Sequence, residues 1–517
     1  MHSGFTRFWA LLLLIALLGG AGGCAGTEQA GGDGTIVVAL ESDILTLDPA
    51  MHRDRVTETV IRNMFDGLVT RTTDMKVVPE LAESWEAVTP TEYNFKLRED
   101  VKFHNGDPMT ADDVVFTFER LLTEGAINGQ TSPRVGLLGP LRSVEKTGDY
   151  EVKFVFSEPW SLFLTMLPHQ QIVPKKYIEE NGETYFAANP VGTGPFMFEG
   201  GDINEQIVLK RFDDYYGGSP DIRPVGPAQV AQVIFRVVPE ANTRLALLLT
   251  GEAHIVTNLP PHMAEEAAGN PEAVVKTTNG TNVHYVSLNV TQPPLDDHRV
   301  REAIALAIGT EEIVQGIYGD YGVPMTGPLL PGGFGKNTEL QKIERDIEAA
   351  KALLADAGYA DGFSLVIDTE DSMKDDADAV AAHLRDAGID ASVRTWEWGV
   401  LKPLLLDGSR SVLLNYYGNA SMDPYDLLDP VFKTGGRGNY SHYSNPDLDA
   451  LLEEAAVEID PAERGRMYQE AEKVIHDEHV WVMTYTRKVI EACSAKISNW
   501  EPSPDGRINL HDVQIKE

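Results

Sequence analysis

Leu81 to Glu86 reads L-A-E-S-W-E, and Tyr93 to Leu122 reads Y-N-F-K-L-R-E-D-V-K-F-H-N-G-D-P-M-T-A-D-D-V-V-F-T-F-E-R-L-L. Tyr93, Phe95 and Leu97 alternate with Asn94, Lys96 and Arg98. A period of two is the pattern of a half-buried strand, and Val101 and Phe103 continue it. Asn105-Gly106-Asp107-Pro108 is turn chemistry. Thr110, with Asp113 three places on, has the form of a capping box that opens a helix. Val114, Val115, Phe118, Leu121 and Leu122 give that helix an apolar side. The stretch therefore predicts a strand pair, a turn and a capped helix.

The wording of the stretch carries more than its pattern. It resembles the family-5 extracytoplasmic solute-binding proteins, the peptide and nickel receptors of ABC importers. Their usual wording is A-E-S-W-E, Y-x-F-x-L-R, V-K-F-H-[DN]-G and T-A-[DE]-D-V-V-F-[ST]. Ala82–Glu86 and Val101–Gly106 match it nearly letter for letter. The resemblance runs from about Thr35 to the C-terminus. It implies an α/β, two-lobed periplasmic-binding-protein-like fold (type II, cluster C) with an extra small domain in the first lobe. The first lobe would be assembled from 35–64, 190–280 and 482–517. The extra domain would be 65–189 and the second lobe 281–481.

Length and charge agree with such a body. A chain of 517 residues is too long for one ordinary core. Lysine and arginine number 43 against 79 aspartates and glutamates, a net charge of −36. That surface repels nucleic acid and anionic headgroups, which excludes both as expected partners. Two cysteines, Cys24 and Cys493, offer neither a disulfide framework nor a cysteine-rich zinc motif.

The N-terminus says where the protein works. Arg7 precedes an apolar run of 11 residues, Phe8–Leu18. A membrane span needs ~20 residues, so the run suits the core of a signal peptide, 1–23. Gly19–Gly23 then leads to Cys24, which resembles a bacterial lipobox with Ala21 where leucine is usual. Cys24 is expected to carry lipid and anchor the body to the membrane. Ordinary signal-peptidase cleavage near Gly23 is the alternative. Residues 24–34 are a glycine-rich tether.

In chain order, Thr35–Leu40 reads as a strand and Asp43–Pro49 as a loop. There the family carries a similar L-[DN]-P at the lip of its cleft, which makes Leu45 a candidate contact. Val56–Phe65 reads as a helix. Val191-Gly192-Thr193-Gly194-Pro195 holds a Gly-x-Gly, but a hairpin and not a helix follows it. Permissive backbone at a crossover is preferred to a phosphate site. Val300, Ala303, Ile304, Ala307 and Ile308 mark an apolar helix face. Phe363–Ile367, Ala377–Ala387 and Ile389–Arg394 form a βαβ unit, expected parallel. Pro446 and Pro461 open two late helices.

Catalytic chemistry is weakly represented. No G-x-S-x-G elbow is present. Gly335-Lys336 is followed by Asn337 and lacks the spacing of a P-loop. His476 and His479 stand three apart, not four as in H-E-x-x-H, and read as solvated helix-end histidines. Asp368–Asp378 lacks the glycine of a calcium loop and reads as a solvated loop. A hydrolase or metalloenzyme is thus disfavoured, and neither metal nor cofactor is expected. Cys493 reads as a buried small apolar residue.

A binding constellation remains. Trp396-Glu397-Trp398 follows one strand, and Tyr416-Tyr417-Gly418-Asn419-Ala420-Ser421-Met422-Asp423-Pro424 follows another. In open α/β lobes ligands gather beyond the carboxyl ends of strands. Aromatics there stack on varied partners, and backbone amides grip a peptide as an added strand. These aromatics could also be core; the adjoining polar residues favour a cleft wall. The family's E-W dyad falls on Glu397-Trp398, and its tryptophan often lines the ligand cavity. The family's W-x-x-[DA]-x-x-D-P falls on Tyr417–Pro424. Ala420 stands where peptide receptors often carry an aspartate for the ligand's ammonium, a charge-assisted bond of roughly 1.5–3 kcal/mol. Asn419 and Asp423 are the candidate substitutes.

The resemblance implies a monomeric receptor that closes over a small solute and delivers it to a membrane-embedded ABC permease. Oligopeptide leads. Glutathione-like, opine-like, sugar-oligomer and metal-chelate solutes, and a non-transport role such as a chaperone, are the alternatives.

Overall fold

A computed structural model describes residues 34–222, 225–419 and 421–516. The signal segment, Cys24 and Ala420 lie outside these residues. Among the described residues no helix is long and apolar enough to cross a membrane.

Ala82–Thr89 and Glu92–Leu97 pair antiparallel, with Trp85 opposite Phe95. Glu151–Phe156 and Leu141–Gly148 complete a four-stranded antiparallel sheet. Alternation turns Tyr93, Phe95 and Leu97 inward. Phe154 receives Phe95 and Phe118 edge-on, at ring separations of 5.1 and 4.8 Å. The helix Ala111–Leu122 covers this face. The Asp113 carboxylate accepts the Thr110 backbone N–H at 2.9 Å and completes the capping box. Val101 and Phe103 are buried but do not extend the strand. The Phe103 N–H donates to the Asp107 carbonyl at 2.9 Å and folds the segment into a turn.

Among the described residues the large sheet has eleven strands. At one end, Phe196–Asp202 and Gln206–Arg211 form the expected hairpin, followed by Gln232–Val237, Thr35–Leu40 and Ile255–Val256. Thr35–Leu40 runs parallel to both of its neighbours. At the other end, Ser364–Glu370 and Asp390–Trp396 are parallel and joined through the helix Lys374–Asp386. Val412–Gly418 lies beside them.

Two long strands, Ala273–Leu288 and Trp481–Ser494, join the halves. Their register breaks between Asn279 and Val283. Before the break Cys493 faces Ile255 of the first lobe. After it Tyr285 faces Asn415 of the second. Gly280 sits in the break, where a Cβ would stand 2.5 Å from the Arg487 carbonyl oxygen.

The cores follow the same division. Ile36, Val60, Phe65, Phe196, Phe235 and Trp500 fill the first lobe. Leu288, Val300, Ile304, Ile367, Val380 and Leu414 fill the second. Val173, Ile178 and Phe186 pack into the first lobe's core, and Met483 and Tyr485 into the second's. The segment expected as 65–189 thus reaches the first lobe's core from both ends, and that expected as 482–517 reaches the second lobe's core at its start.

Three local expectations need correction. The first helix spans only Arg55–Ile61, because Met64 and Phe65 leave it to meet the Gly192-Thr193-Gly194 run. In that run neither glycine has positive φ. A Cβ on Gly192 would stand 2.1 Å from the Met64 carbonyl oxygen, so close approach selects glycine. In Asp368–Asp378, Asp368 and Asp376 are buried rather than solvated. Asp368 accepts from Arg394, and Asp376 from the Tyr318 hydroxyl at 2.7 and 2.8 Å.

Candidate functional site

A cavity of about 420 Å³ lies between the lobes. Its size falls within the ~300–1,000 Å³ usual for ligand pockets. Arg53, Asp54, Arg55 and Glu58 line it from the loop and helix that follow the first strand. The small domain contributes Arg134, Leu137, Met166 and His169, and the second lobe Tyr417, Gly418, Ser421, Asp426 and Arg437. Asp505 and Arg507 complete the wall from the C-terminal segment.

Part of this wall is rigidly wired. Arg134 is buried and donates through Nε to the His52 carbonyl at 3.0 Å. Its Nη2 stands 2.7 Å from His52 Nε2 and 3.4 Å from Glu58 Oε2. His169 Nδ1 stands 2.8 Å from Glu58 Oε1. Burial pushes the Glu58 carboxyl up, but His169 and Arg134 outweigh it and hold it well below the usual carboxylate range. Burial, helped by Arg134, lowers the His52 imidazole to about 3, so His52 stays neutral. Glu58 and Arg134 therefore satisfy each other and shape the wall.

The mouth is freer. Arg53 and Arg437 are exposed. Arg437 Nη2 donates to the Tyr417 hydroxyl at 2.8 Å, with its guanidinium 5.9 Å from the Tyr417 ring centre. Asp426 accepts from Ser421 Oγ at 3.3 Å. Burial raises the Asp426 carboxyl, with Asp423 adding to the rise while Arg437 and Arg53 oppose it. Three exposed guanidiniums, Arg53 and Arg55 from the first lobe and Arg437 from the second, thus line the cavity of a strongly acidic protein. They offer planar, bidentate donors to a carboxylate.

The residues singled out from the sequence disperse. Tyr417 borders the main cavity, whereas Tyr416 borders a second compartment with His284 and Arg487. Neighbouring side chains on a strand leave opposite faces, so the two tyrosines serve different walls. Trp396 donates its indole N–H to buried Asp368 at 2.6 Å. The Arg394 and Arg410 guanidiniums stand 5.0 and 5.4 Å from its ring centre. Glu397 is the exposed N-cap of the helix Trp398–Leu406, and Trp398 meets Tyr440 edge-on at 5.9 Å. Asn419 is buried, and its side-chain oxygen accepts from Ser421 Oγ at 3.1 Å. Asp423 is engaged by Arg464 through bonds of 2.9 and 2.7 Å. Leu45 is exposed, with its N–H donating to Thr57 Oγ1 at 3.0 Å.

Arg53, Arg55, Glu58, Arg134, His169, Asp426 and Arg437 were not singled out beforehand. Arg53-Asp54-Arg55 was the one visible signal, a charged cluster just past the carboxyl end of the first strand. The others come from distant segments, and no local pattern marks them.

The sequence profile of the bacterial extracellular solute-binding proteins, family 5 (middle region), matches residues 76–439. The glutathione-binding protein GsiB of Pectobacterium atrosepticum is 28% identical over 499 residues, covering 93% of this chain and 94% of that protein. The structure of HbpA2 from Haemophilus parasuis superposes with a TM-score of 0.87 at 26% identity, covering 93% of this chain and 100% of that one. The periplasmic binding protein DppA from Helicobacter pylori, in complex with the peptide STSA, gives 0.71 at 26% identity over 94% of this chain and 98% of that one. The match with the profile spans well over half of the chain, and the two-lobed architecture agrees with it. This chain belongs to family 5 of the bacterial extracellular solute-binding proteins, the binding components of ABC importers, and its work is binding rather than catalysis.

Proposed function

We propose that this protein is a monomeric, lipid-anchored receptor that captures an oligopeptide or a peptide-like solute between its lobes and delivers it to a membrane-embedded ABC permease. The carrying observation is the interlobe cavity, with Arg53 and Arg437 exposed at its mouth in a chain of net charge −36. A surface so acidic disfavours anions at long range, so exposed arginines aimed into the cleft mark a local demand for a carboxylate. The peptide bound in the Helicobacter pylori structure and the glutathione of the named relative both carry carboxylates, in keeping with this reading. Closure about the strands Ala273–Leu288 and Trp481–Ser494 would bring the guanidiniums together on the solute. The reading takes 35–64, 190–280 and 482–517 as the first lobe, 65–189 as its extra domain and 281–481 as the second lobe. Leu45, Trp396, Glu397, Trp398, Tyr416, Tyr417, Asn419 and Asp423 stay in the proposal as residues at or supporting the cleft. Cys24 is its lipid attachment.

Native mass spectrometry of the protein purified without denaturation tests the proposal. Adducts with the masses of two to five amino acids are expected. A single non-peptide mass or a metal adduct would replace the peptide with that solute. An empty protein that no small solute stabilises thermally would overturn the receptor reading. Metabolic labelling with palmitate, abolished by Cys24→Ser, checks the anchor.

A further inference from the structure

A smaller compartment of about 250 Å³ adjoins the main cavity, and Arg55 borders both. It lies past the carboxyl ends of the parallel strands Thr35–Leu40 and Ile255–Val256, where Glu41, Thr257 and Asn258 leave the sheet. Glu491, on the long strand Trp481–Ser494, faces it from the other side. Glu491 is 4% exposed, and its Oε2 has no hydrogen-bond partner among the described residues. Glu41 accepts from the Thr257 hydroxyl. Such a carboxyl oxygen is costly to leave unsatisfied.

We propose that this compartment is the subsite for the solute's ammonium group, which Glu491 and Glu41 accept together. The inference rests on the peptide reading above and adds the solute's orientation: amino end at the Glu41–Glu491 compartment, carboxylate toward Arg53 and Arg437. The acceptors lining the space support it. Two carboxyls and one guanidinium, Arg55, border it, and Thr59, Thr257, Asn258 and Asn282 add only neutral polar groups. Arg55 is turned by a bond from its Nη2 to Thr281 Oγ1 at 3.2 Å. Lys276, opposite Glu491 in the strand register, is held by Glu501 and the Trp500 carbonyl. The compartment is below the usual size of a whole ligand site, so it takes one end of a solute. The main cavity's own carboxyls are engaged: Asp54 accepts from the Thr57 N–H at 2.7 Å, Glu58 and Asp505 pair with Arg134 and Arg507, and Asp426 accepts from Ser421 and faces both mouth arginines.

Before the solute binds, Glu491 is expected to hold a proton near pH 7. Burial, reinforced by Glu41, pushes the Glu491 carboxyl up to about 8 while Arg55 opposes the rise. An arriving ammonium favours the carboxylate. Binding near pH 7 therefore sends the Glu491 proton to buffer, while the ammonium keeps its own.

The test uses the full-length protein, dialysed free of retained solute. A tripeptide pool and the same pool N-acetylated compete in native mass spectrometry, and the tightest tripeptide goes on to calorimetry in buffers of different ionisation enthalpy. Acetylation is expected to weaken binding at least tenfold. Proton release should accompany wild-type binding and disappear in Glu491→Gln, which should bind free and acetylated peptides alike. Glu41→Gln should weaken the free peptide more than the acetylated one. Equal binding of the two pools to wild type would overturn the inference and leave the peptide reading standing; this comparison decides even if a variant fails to fold. Loss of the preference in Asp426→Asn but not in Glu491→Gln would move the ammonium to Asp426. If neither pool binds, the peptide reading fails and the inference falls with it.

Discussion

Asp423 and Arg464 form a bidentate pair, Oδ2 to Nη1 at 2.9 Å and Oδ1 to Nη2 at 2.7 Å, with both side chains buried. The pair ties the loop after the strand Val412–Gly418 to the helix Pro461–Asp477. Its two carboxylate oxygens are already satisfied, so Asp423 supports the cleft floor rather than a ligand ammonium. Asp423→Ala should leave the Arg464 guanidinium buried and unpaired. The expected loss is about 3–5 kcal/mol of stability, read by urea unfolding. Residual folded protein should bind its solute with nearly unchanged affinity.

Arg53 and Arg437 should behave oppositely. Both are exposed, so Arg53→Ala and Arg437→Ala should barely change the melting temperature. Each should remove a charge-assisted contact worth roughly 1.5–3 kcal/mol and weaken a carboxylate-bearing tripeptide at least tenfold. Calorimetry with the tripeptide and its C-terminal amide checks this, since the amide should bind both variants and wild type alike.

Acid should unfold the protein through its buried and half-buried histidines. Burial lowers His52 and His284 to about 3, and His104 and His479 to about 4. Unfolded, each would take up a proton near pH 6.5; folded, each resists until far lower pH. Their contribution is whole above pH 6.5 and is lost as pH falls toward 3–4, at up to about 1.4 kcal/mol per pH unit for each group. Melting temperatures measured from pH 7 to 4 should fall steadily, and His104→Asn should flatten the slope.

Glu491 should act in the other direction. Its folded pKa of about 8 lies above the ordinary carboxyl value. The native state then binds more protons than the unfolded chain between about pH 4.5 and 8. Stability from this group is present at low pH and lost as pH rises through that window. Solute-free Glu491→Gln should therefore melt higher than wild type at pH 8, and the difference should vanish near pH 4.5. A thermal-shift series over that range reads the crossing.

Gly192→Ala should be severe. Its new Cβ would press on the Met64 carbonyl oxygen and the Phe65 ring, with backbone on one side and a packed core on the other. A loss of about 3 kcal/mol is expected, whereas Gly182→Ala should cost less despite its positive φ, because nothing stands within 4 Å of its Cβ. Paired urea titrations compare the two.

Much of the fold was legible because its signals are local. The alternation of Tyr93, Phe95 and Leu97, the Thr110–Asp113 box and the prolines opening the late helices each act within a few residues, and each appears in the structure. The βαβ unit and the Phe196–Arg211 hairpin were legible for the same reason. Signals failed where a distant neighbour outweighed the local pattern. Asp368 looked solvated, yet the next parallel strand brings Arg394 and Trp396 onto its carboxylate. The first helix looked longer, yet Gly192 and Gly194 dock against Met64 and end it.

By itself the sequence determined the class of protein, because the family's wording is contiguous and its strands and helices are coded by nearby residues. Tertiary structure alone decided the walls of the cleft. Glu58 meets His169 and Arg134 across 111 and 76 positions of chain, and Glu491 comes to face Glu41 only because a late strand threads back beside the first lobe's sheet. Charges so far apart in sequence interact only after the backbone has closed around them, since Coulomb forces and burial depend on distance in space and not along the chain.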